Sequence, residues 1–162
     1  MFRRLRQAVH GGGAACRPGH QDKSMQVQLH QVRQVQGSMA TVTFESALGW
    51  GTAQWVGTRP EEGASRQVEM AVPGVLNWGY EVAETHQDES IFEEQGRVCL
   101  VGRVRWSSED GITAVQVGSD LVLVEIANCP GIVPAQLIIR APRVQLFDVI
   151  RWEMPLPSEQ CA

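Results

Sequence analysis

The feature that most restricts the fold is a pair of similar segments that lie 69 residues apart. Residues 67–80 (QVEMAVPGVLNWGY) and residues 136–149 (QLIIRAPRVQLFDV) each run as a strand, a proline, a valine and a bulky aromatic residue. The matched residues are Pro73 with Pro142, Val75 with Val144, and Trp78 with Phe147. An internal repeat predicts two similar structural units before any functional motif is considered. We expect the prolines to form bends and the aromatic pair to fill the core.

The similarity extends upstream in the same order in both halves. Residues 41–53 correspond to residues 114–126 at an offset of 73, and residues 29–35 correspond to residues 98–104 at an offset of 69. A duplication then requires only a small change in loop length, which is where insertions cost least. The competing interpretation is that alternating strands resemble one another whatever their origin. Duplication and chance similarity both remain open.

Alternation of apolar and polar residues predicts strands along nearly the whole chain. In residues 98–106, Val104 and Trp106 fall on one face of the predicted strand, and Arg103 and Arg105 fall on the other. A period of two is that of a half-buried antiparallel strand. The Ser-Ser-Glu-Asp-Gly sequence that follows contains Asp-Gly, which favours a hairpin back into the next strand.

We predict an all-β chain of two tandem small antiparallel β-barrels, of the OB-like or SH3-like type, with a possible internal duplication. The predicted organisation is a disordered basic tail or targeting segment (1–24), a first barrel (25–83), an acidic linker (84–94), a second barrel (95–154) and a flexible C-terminal tail (155–162). The boundary is placed in the acidic segment because its polar sequence is typical of a solvated connection or a short helix.

The first predicted strand has an interruption in its apolar pattern. Val27 and Leu29 alternate with polar residues, whereas Val32 falls out of phase with them. One extra residue between Leu29 and Val32 would restore the alternation. The sequence therefore predicts a β-bulge at this point.

The net charge of −4 is unevenly distributed along the 162 residues. Residues 1–24 carry five basic residues and one acidic residue, so the rest of the chain sums to −8. An acidic body argues against general attraction to nucleic acid or anionic lipid. No apolar run approaches the roughly 18 residues of a membrane span, and no membrane association is expected. The predicted location is cytoplasmic, or mitochondrial if residues 1–24 are a transit peptide and Met1 rather than Met25 is the start.

The sequence shows no recognisable catalytic or metal-binding pattern. Zinc sites use close pairs of cysteines, whereas the cysteines here are widely spaced. They are Cys16, Cys99, Cys129 and Cys161. Nucleophile elbows, phosphate-binding loops and dinucleotide-binding motifs do not occur. His86 lies near Asp88 and Glu89, but a solvated linker is a poor place for a general base. We therefore predict no enzyme activity, no catalytic residue, no metal and no cofactor.

An unidentified protein partner is the predicted ligand. Small acidic β-proteins without catalytic residues are typical of immunity or inhibitor proteins and of adaptor modules, in which carboxylates face a basic target. The candidate contact residues are Trp50, Glu61, Glu62 and Glu69. Gly49 and Gly51 flank Trp50, so its ring lies either at an exposed contact or at a barrel corner. A monomer and a homodimer are both compatible with the sequence.

The alternative function is binding of single-stranded nucleic acid. Arginines interleaved with aromatic residues supply phosphate contacts and stacking surfaces in OB-like barrels. The candidate residues are Arg103, Arg105, Trp106, Arg140 and Arg143. The competing interpretation is that arginines on an exposed strand keep it soluble and discourage edge pairing. The protein partner is therefore preferred.

Overall fold

The computed structural model describes residues 24–34 and 39–149. All of the predicted N-terminal tail except Ser24 lies outside these residues, as do the last five residues assigned to the second barrel and the whole C-terminal tail. Across the described residues the chain forms twelve β-strands and no helix, which confirms the all-β prediction. In that part of the chain no helix is long and apolar enough to cross a membrane.

The strands follow one another with mostly short connections. In chain order they are β1 (Met25–Gln34), β2 (Ala40–Ser46), β3 (Gly49–Val56), β4 (Ser65–Ala71), β5 (Val75–Asn77), β6 (Val82–Glu84), β7 (Ser90–Glu94), β8 (Arg97–Ser107), β9 (Ile112–Val117), β10 (Asp120–Ala127), β11 (Gln136–Ala141) and β12 (Gln145–Asp148). Alternate residues of β3, namely Gly51, Ala53 and Trp55, are buried. This is the two-residue period on which the strand predictions depend.

Five of the strands close into a β-barrel. β1 pairs with β2 on one side and with β4 on the other, and β2 continues to β3. β12 completes the ring because it lies between β3 and β4, parallel to the first and antiparallel to the second. The barrel therefore contains a strand from the C-terminal half of the chain. A closed small β-barrel is confirmed, whereas two tandem barrels and an OB or SH3 type are not.

The remaining described strands extend the same sheet. β3 meets β7 at a single bridge between Gly49 and Ile91, where a Cβ on residue 49 would overlap the carbonyl oxygen of Ile91. β8 pairs with β7, β9 and β11, while β9 continues to β10. β5 joins β10 in parallel, and β6 joins β11. An isolated bridge between Trp78 and Val82 connects β5 to β6.

The segment predicted as an acidic linker, residues 84–94, contains regular structure. Its second half is β7, which pairs with β8. The loop that leads into β7 is attached to the start of β11, since Thr85 donates its backbone N–H to the carbonyl of Gln136 at 3.3 Å. The side chain of Gln136 in turn donates to the backbone carbonyl of Gln87. This segment is therefore an integral part of the sheet.

A single large apolar cluster fills the interior and includes residues from both halves of the chain. Its largest members, each at most 2% exposed, are Leu29, Phe44, Trp55, Leu76, Ile91, Leu100, Leu137, Ile139 and Leu146. Trp78 packs against this cluster as predicted. Phe147, the other half of the predicted aromatic pair, is 37% exposed and lies outside the core. Its neighbour Leu146 takes the core position because successive side chains of a strand point to opposite faces.

Two strands contain a bulge at corresponding points in their pairing. The register of β1 against β2 shifts between Leu29 and Gln31, which confirms the predicted bulge. The register of β8 against β9 shifts in the same way between Val104 and Trp106. A bulge adds one unpaired residue and changes the direction in which neighbouring side chains point. The sequence did not predict the second bulge.

Replacement of Leu146 by alanine tests the role of β12 in joining the two halves. Leu146 is fully buried, so we expect the free energy of unfolding to fall by about 2 to 5 kcal/mol. Because both halves share one core, urea unfolding followed by tryptophan fluorescence and by far-ultraviolet circular dichroism should give coincident single transitions. Leu123→Ala, at a half-exposed position, is the control and should cost no more than about 1 kcal/mol. Two separate transitions would contradict the shared core.

Candidate interaction surface

The bulge in β8 turns Trp106 out of the core. Val104 pairs with the buried Val115 and packs against the main apolar cluster. Arg105 is the extra residue, and Trp106 pairs with Ala114, which points away from Val115 along β9. Because directly opposed side chains lie on the same face of a sheet, Trp106 points outward, and 48% of it is exposed. The prediction that Trp106 lies on the same face of β8 as Val104 is therefore wrong.

Apolar side chains cover the outer face of β8, β9, β10 and β5. We call this surface the apolar face, and its members are Val75, Trp106, Ile112, Ala114, Leu121 and Leu123. Val75 is 52% exposed and Leu123 is 51% exposed. Ala114 is fully buried although it lies on the outer face, because Trp106 and Leu123 oppose it on its two sides. Large apolar side chains that lie together and half exposed on adjacent strands are typical of an interaction surface.

Charged residues of opposite sign lie on the two sides of the apolar face. Arg103 and Arg105 are exposed on β8. Glu125 is exposed on β10. Glu69 of β4 lines a cavity of about 260 Å³ whose wall also includes Leu121. Relative to the central strand β9, the arginines therefore lie on the β8 side and the carboxylates on the β10 and β4 side, with Glu125 between Ile112 and Val75.

The other basic residues predicted to bind nucleic acid lie away from this arrangement. Arg140 is on β11, where its Nε is 3.9 Å from the carboxylate of Glu94. Arg143 follows β11 and lines a separate cavity of about 270 Å³, together with Glu93. Arg103 and Arg105 of β8 are the predicted basic residues that lie beside Trp106. The structure thus brings together part of the predicted basic site, with carboxylates beside the rest.

The residues predicted to bind a protein partner occupy three separate places. Trp50 lies near the start of β3 and is 51% exposed. Glu61 and Glu62 lie in the loop between β3 and β4, where the Glu62 carboxylate accepts a hydrogen bond from the backbone N–H of Val32 at 3.1 Å. Glu69 is on β4, at the acidic side of the apolar face. Of this set, Glu69 is the residue that adjoins the apolar face.

The thiols of the described residues are not activated as nucleophiles. Burial raises the pKa of the Cys99 thiol and also that of Cys129. A reactive cysteine instead has a lowered pKa, because the thiolate is the attacking species. Cys129 lines a cavity of about 590 Å³ beside the β8–β9 turn, with Glu109 and two serines in its wall. In the described part of the chain no three His, Cys, Asp or Glu side chains lie close enough together to hold a metal ion.

Asp120 is a buried carboxylic acid at the contact between β10 and β4. It is 1% exposed, and its Oδ2 accepts a hydrogen bond from the backbone N–H of Met70 at 2.7 Å. Removal from water raises the pKa of Asp120 to about 7, and the Glu69 carboxylate adds to the rise. Hydrogen bonds from the backbone of Met70 and Leu121 act in the opposite direction. The sequence offered no signal for this residue, because an aspartate after Gly-Ser is typical of a turn.

No family model matches this chain, and neither a curated protein nor a solved structure is found to be similar to it. Its function is therefore inferred from the geometry and chemistry of its own residues. Of the apolar face, the sequence predicted Trp106 alone as a functional residue. Val75 and Leu123 were missed because an isolated valine or leucine in a strand has the same pattern whether it faces the core or the solvent.

Replacement of Asp120 by asparagine tests the pKa of this carboxyl. An acid with a pKa raised in the folded state binds more protons when folded, so its contribution to stability is lost as pH rises from about 3.8 to about 7. Asparagine stays neutral and can still accept the Met70 hydrogen bond. We expect Asp120→Asn to be more stable than the wild type at pH 8, by up to about 4 kcal/mol, and of similar stability at pH 4. Urea unfolding at both values measures the difference, and equal stability at pH 8 would contradict the raised pKa.

Proposed function

We propose that this chain is a non-catalytic binding protein of the inhibitor or adaptor kind, and that a protein partner docks on the apolar face. The observation that carries the proposal is the outward position of Trp106, Leu123 and Val75, each about half exposed, on one face of the consecutive strands β8, β9, β10 and β5. Exposed tryptophan at the centre of an apolar patch is the commonest kind of hot-spot residue in protein interfaces.

The energetics of this surface favour a protein ligand. Docking would remove apolar area from water, at roughly 25 cal/mol per Å². Arg103, Arg105 and Glu69 lie at the sides of the face, where they can pair with a partner, whereas Glu125 lies within it between Ile112 and Val75. Glu61, Glu62 and Trp50 remain candidates for a second contact elsewhere on the molecule.

The charge of the described body also favours protein over nucleic acid. Residues 24–34 and 39–149 contain eight arginines, no lysine and fifteen acidic residues. Such an acidic surface repels phosphate backbones and attracts basic or neutral protein surfaces. A protein partner whose own charges complement the arginines on one side of the apolar face and the carboxylates on the other fits this surface best.

Single-stranded nucleic acid is the second candidate, and one observation favours it. By their pairing with Gln116 and Ala114, Arg103 and Trp106 lie on the same face, and the extra residue Arg105 is exposed between them. A ring for stacking beside two guanidinium groups is the combination that single-strand binding proteins use. Arg140 is less available for this role because Glu94 lies beside it.

The proposal is tested by capture of partners with a variant of the apolar face. Trp106→Gln combined with Leu123→Thr removes the exposed apolar groups without touching the core. We expect a protein that co-purifies with the full chain from its native cell extract to be recovered at least about tenfold less with this variant. Tyr80→Gln is the matched control, since Tyr80 is 80% exposed in the turn between β5 and β6, and it should retain the partner. Equal recovery with both variants would refute docking on the apolar face.

The nucleic-acid alternative is tested by titration of labelled single-stranded DNA and RNA at low salt. Under the protein-binding proposal we expect no saturable binding at protein concentrations up to about 100 µM, because the body repels phosphate. Binding that falls steeply with added salt, and that is lost in Arg103→Ala with Arg105→Ala, would instead establish the alternative.

A further inference from the structure

The strand pairings of the first half recur in the second half in the same register. Met25 of β1 pairs with Val68 of β4, and Leu100 of β8 pairs with Ile139 of β11. The corresponding residues lie 75 positions apart for β1 and β8, and 71 positions apart for β4 and β11. The pair β1 and β4 is therefore equivalent, residue by residue, to the pair β8 and β11.

The hairpins and bulges recur as well. Ser46 pairs with Gly49 at the β2–β3 turn, and Val117 pairs with Asp120 at the β9–β10 turn, again 71 positions later. The two bulges coincide when β1 is placed on β8 at the offset of 75. A bulge at the same position of the same strand pair is a specific structural feature, unlike simple alternation.

The fifth strand is exchanged between the two halves. Leu146 of β12 pairs with Trp55 of β3 in parallel, and Leu76 of β5 pairs with Ile126 of β10 in parallel. β5 thus follows the strands of the first half in sequence but joins the second, while β12 does the reverse. This reciprocal arrangement supports the internal duplication that the sequence predicts.

Equivalent positions on the outer faces of the two halves differ in polarity. Gln31, Thr41, Thr43, Thr52 and Gln145 correspond in order to Trp106, Ile112, Ala114, Leu123 and Val75. The exception is Trp50, which corresponds to Leu121. The same strand pairing therefore forms with polar residues at nearly all of these positions. Because the fold does not require an apolar outer face, the apolar residues serve a contact.

We infer that the apolar face joins two copies of this chain. The inference rests on the proposed docking role of that face and names its occupant. Its support is the arrangement of charge, since one surface presents arginines on its β8 side and carboxylates on its β10 and β4 side. A surface that carries both signs on opposite sides is complementary to a second copy of itself.

The symmetry that satisfies this charge arrangement is a two-fold axis. The axis runs parallel to β9 and lies midway between the two facing sheets. Rotation about it places β8 of one copy over β10 of the other. Such an axis preserves the position along the strands, so Trp106 of each copy lies over Leu123 of the other, and Arg103 lies over Leu121, which has Glu69 beside it. Glu125 lies one pair further along β10, on the side of Arg105. Face-to-face packing of this kind separates two sheets by about 10 Å, which the apolar side chains fill.

The size of the patch sets the extent of the contact. The exposed parts of Trp106, Leu123 and Val75 amount to on the order of 300 Å². A stable interface buries about 800 Å² on each partner. The contact therefore extends over the two charged sides, so both apolar and charge variants should weaken it.

Sedimentation velocity of the full chain between about 1 and 100 µM measures the association directly. We expect a dimer whose dissociation constant rises at least about 100-fold when Val75→Gln, Trp106→Gln and Leu123→Thr copy the polar residues of the first half. Tyr80→Gln is the control and should leave the dimer intact. Circular dichroism and the urea midpoint establish that each variant is folded.

Charge reversal tests the two-fold pairing itself. Arg103→Glu with Arg105→Glu should weaken the dimer, as should Glu69→Arg with Glu125→Arg. An equimolar mixture of the two charge variants should recover heterodimer, since both of its charged contacts then unite opposite signs, whereas either variant alone unites like charges at both. A monomeric wild type at 100 µM, or a mixture that does not associate, would overturn the inference. Neither result bears on capture of a different partner by the apolar face, which the pull-down with Trp106→Gln and Leu123→Thr decides.

Discussion

The short strand β12 is the constraint on which the rest of the structure depends. Its four residues pair with β3 in a parallel arrangement and with β4 in an antiparallel one. Without them the five-stranded barrel would have two open edges. Open edges expose unpaired backbone groups and invite association with other chains. Since β12 comes from the far end of the described chain, barrel closure also brings the second half against the first. The shared core, in which Leu146 lies beside residues of both halves, follows from this one pairing.

A second constraint, the bulge in β8, determines what the molecule shows to solvent. One extra residue at Arg105 leaves Val104 in the core and turns Trp106 outward. Without the bulge, simple alternation would have pointed Trp106 toward the core and left Arg105, instead of Trp106, on the outer face. The bulge thus adds Trp106 to the apolar face and leaves it on the same side of the sheet as Arg103.

Local periodicity predicted the strands well but could not predict their partners. Alternation identified the strand positions and even the bulge after Leu29, because Val32 breaks the pattern visibly. The bulge after Val104 was hidden, since the apolar Trp106 continues the alternation as if no residue were extra. The sequence alignment of the repeat used offsets of 69 and 73. In the structure, β2, β3 and β4 are equivalent to β9, β10 and β11 at an offset of 71. A slip of two residues preserves which side faces the core, so a pattern of period two does not detect it. Nothing local in the sequence marks β12 as a strand of the barrel, because it pairs with β3 and β4, which lie far away in the chain.

The two halves together separate what the fold requires from what a contact requires. Core positions such as Val68 and Ile139 are apolar in both halves, since either half needs them to fold. Outer positions such as Thr52 and Leu123 differ, although the backbone pairing around them is the same. An exposed leucine contributes little to folding and lowers solubility, so its presence calls for a contact that buries it. The first half therefore acts as an internal control for the second, and the difference between them supports the proposed docking on the outer face of β8, β9, β10 and β5 independently of any comparison with other proteins.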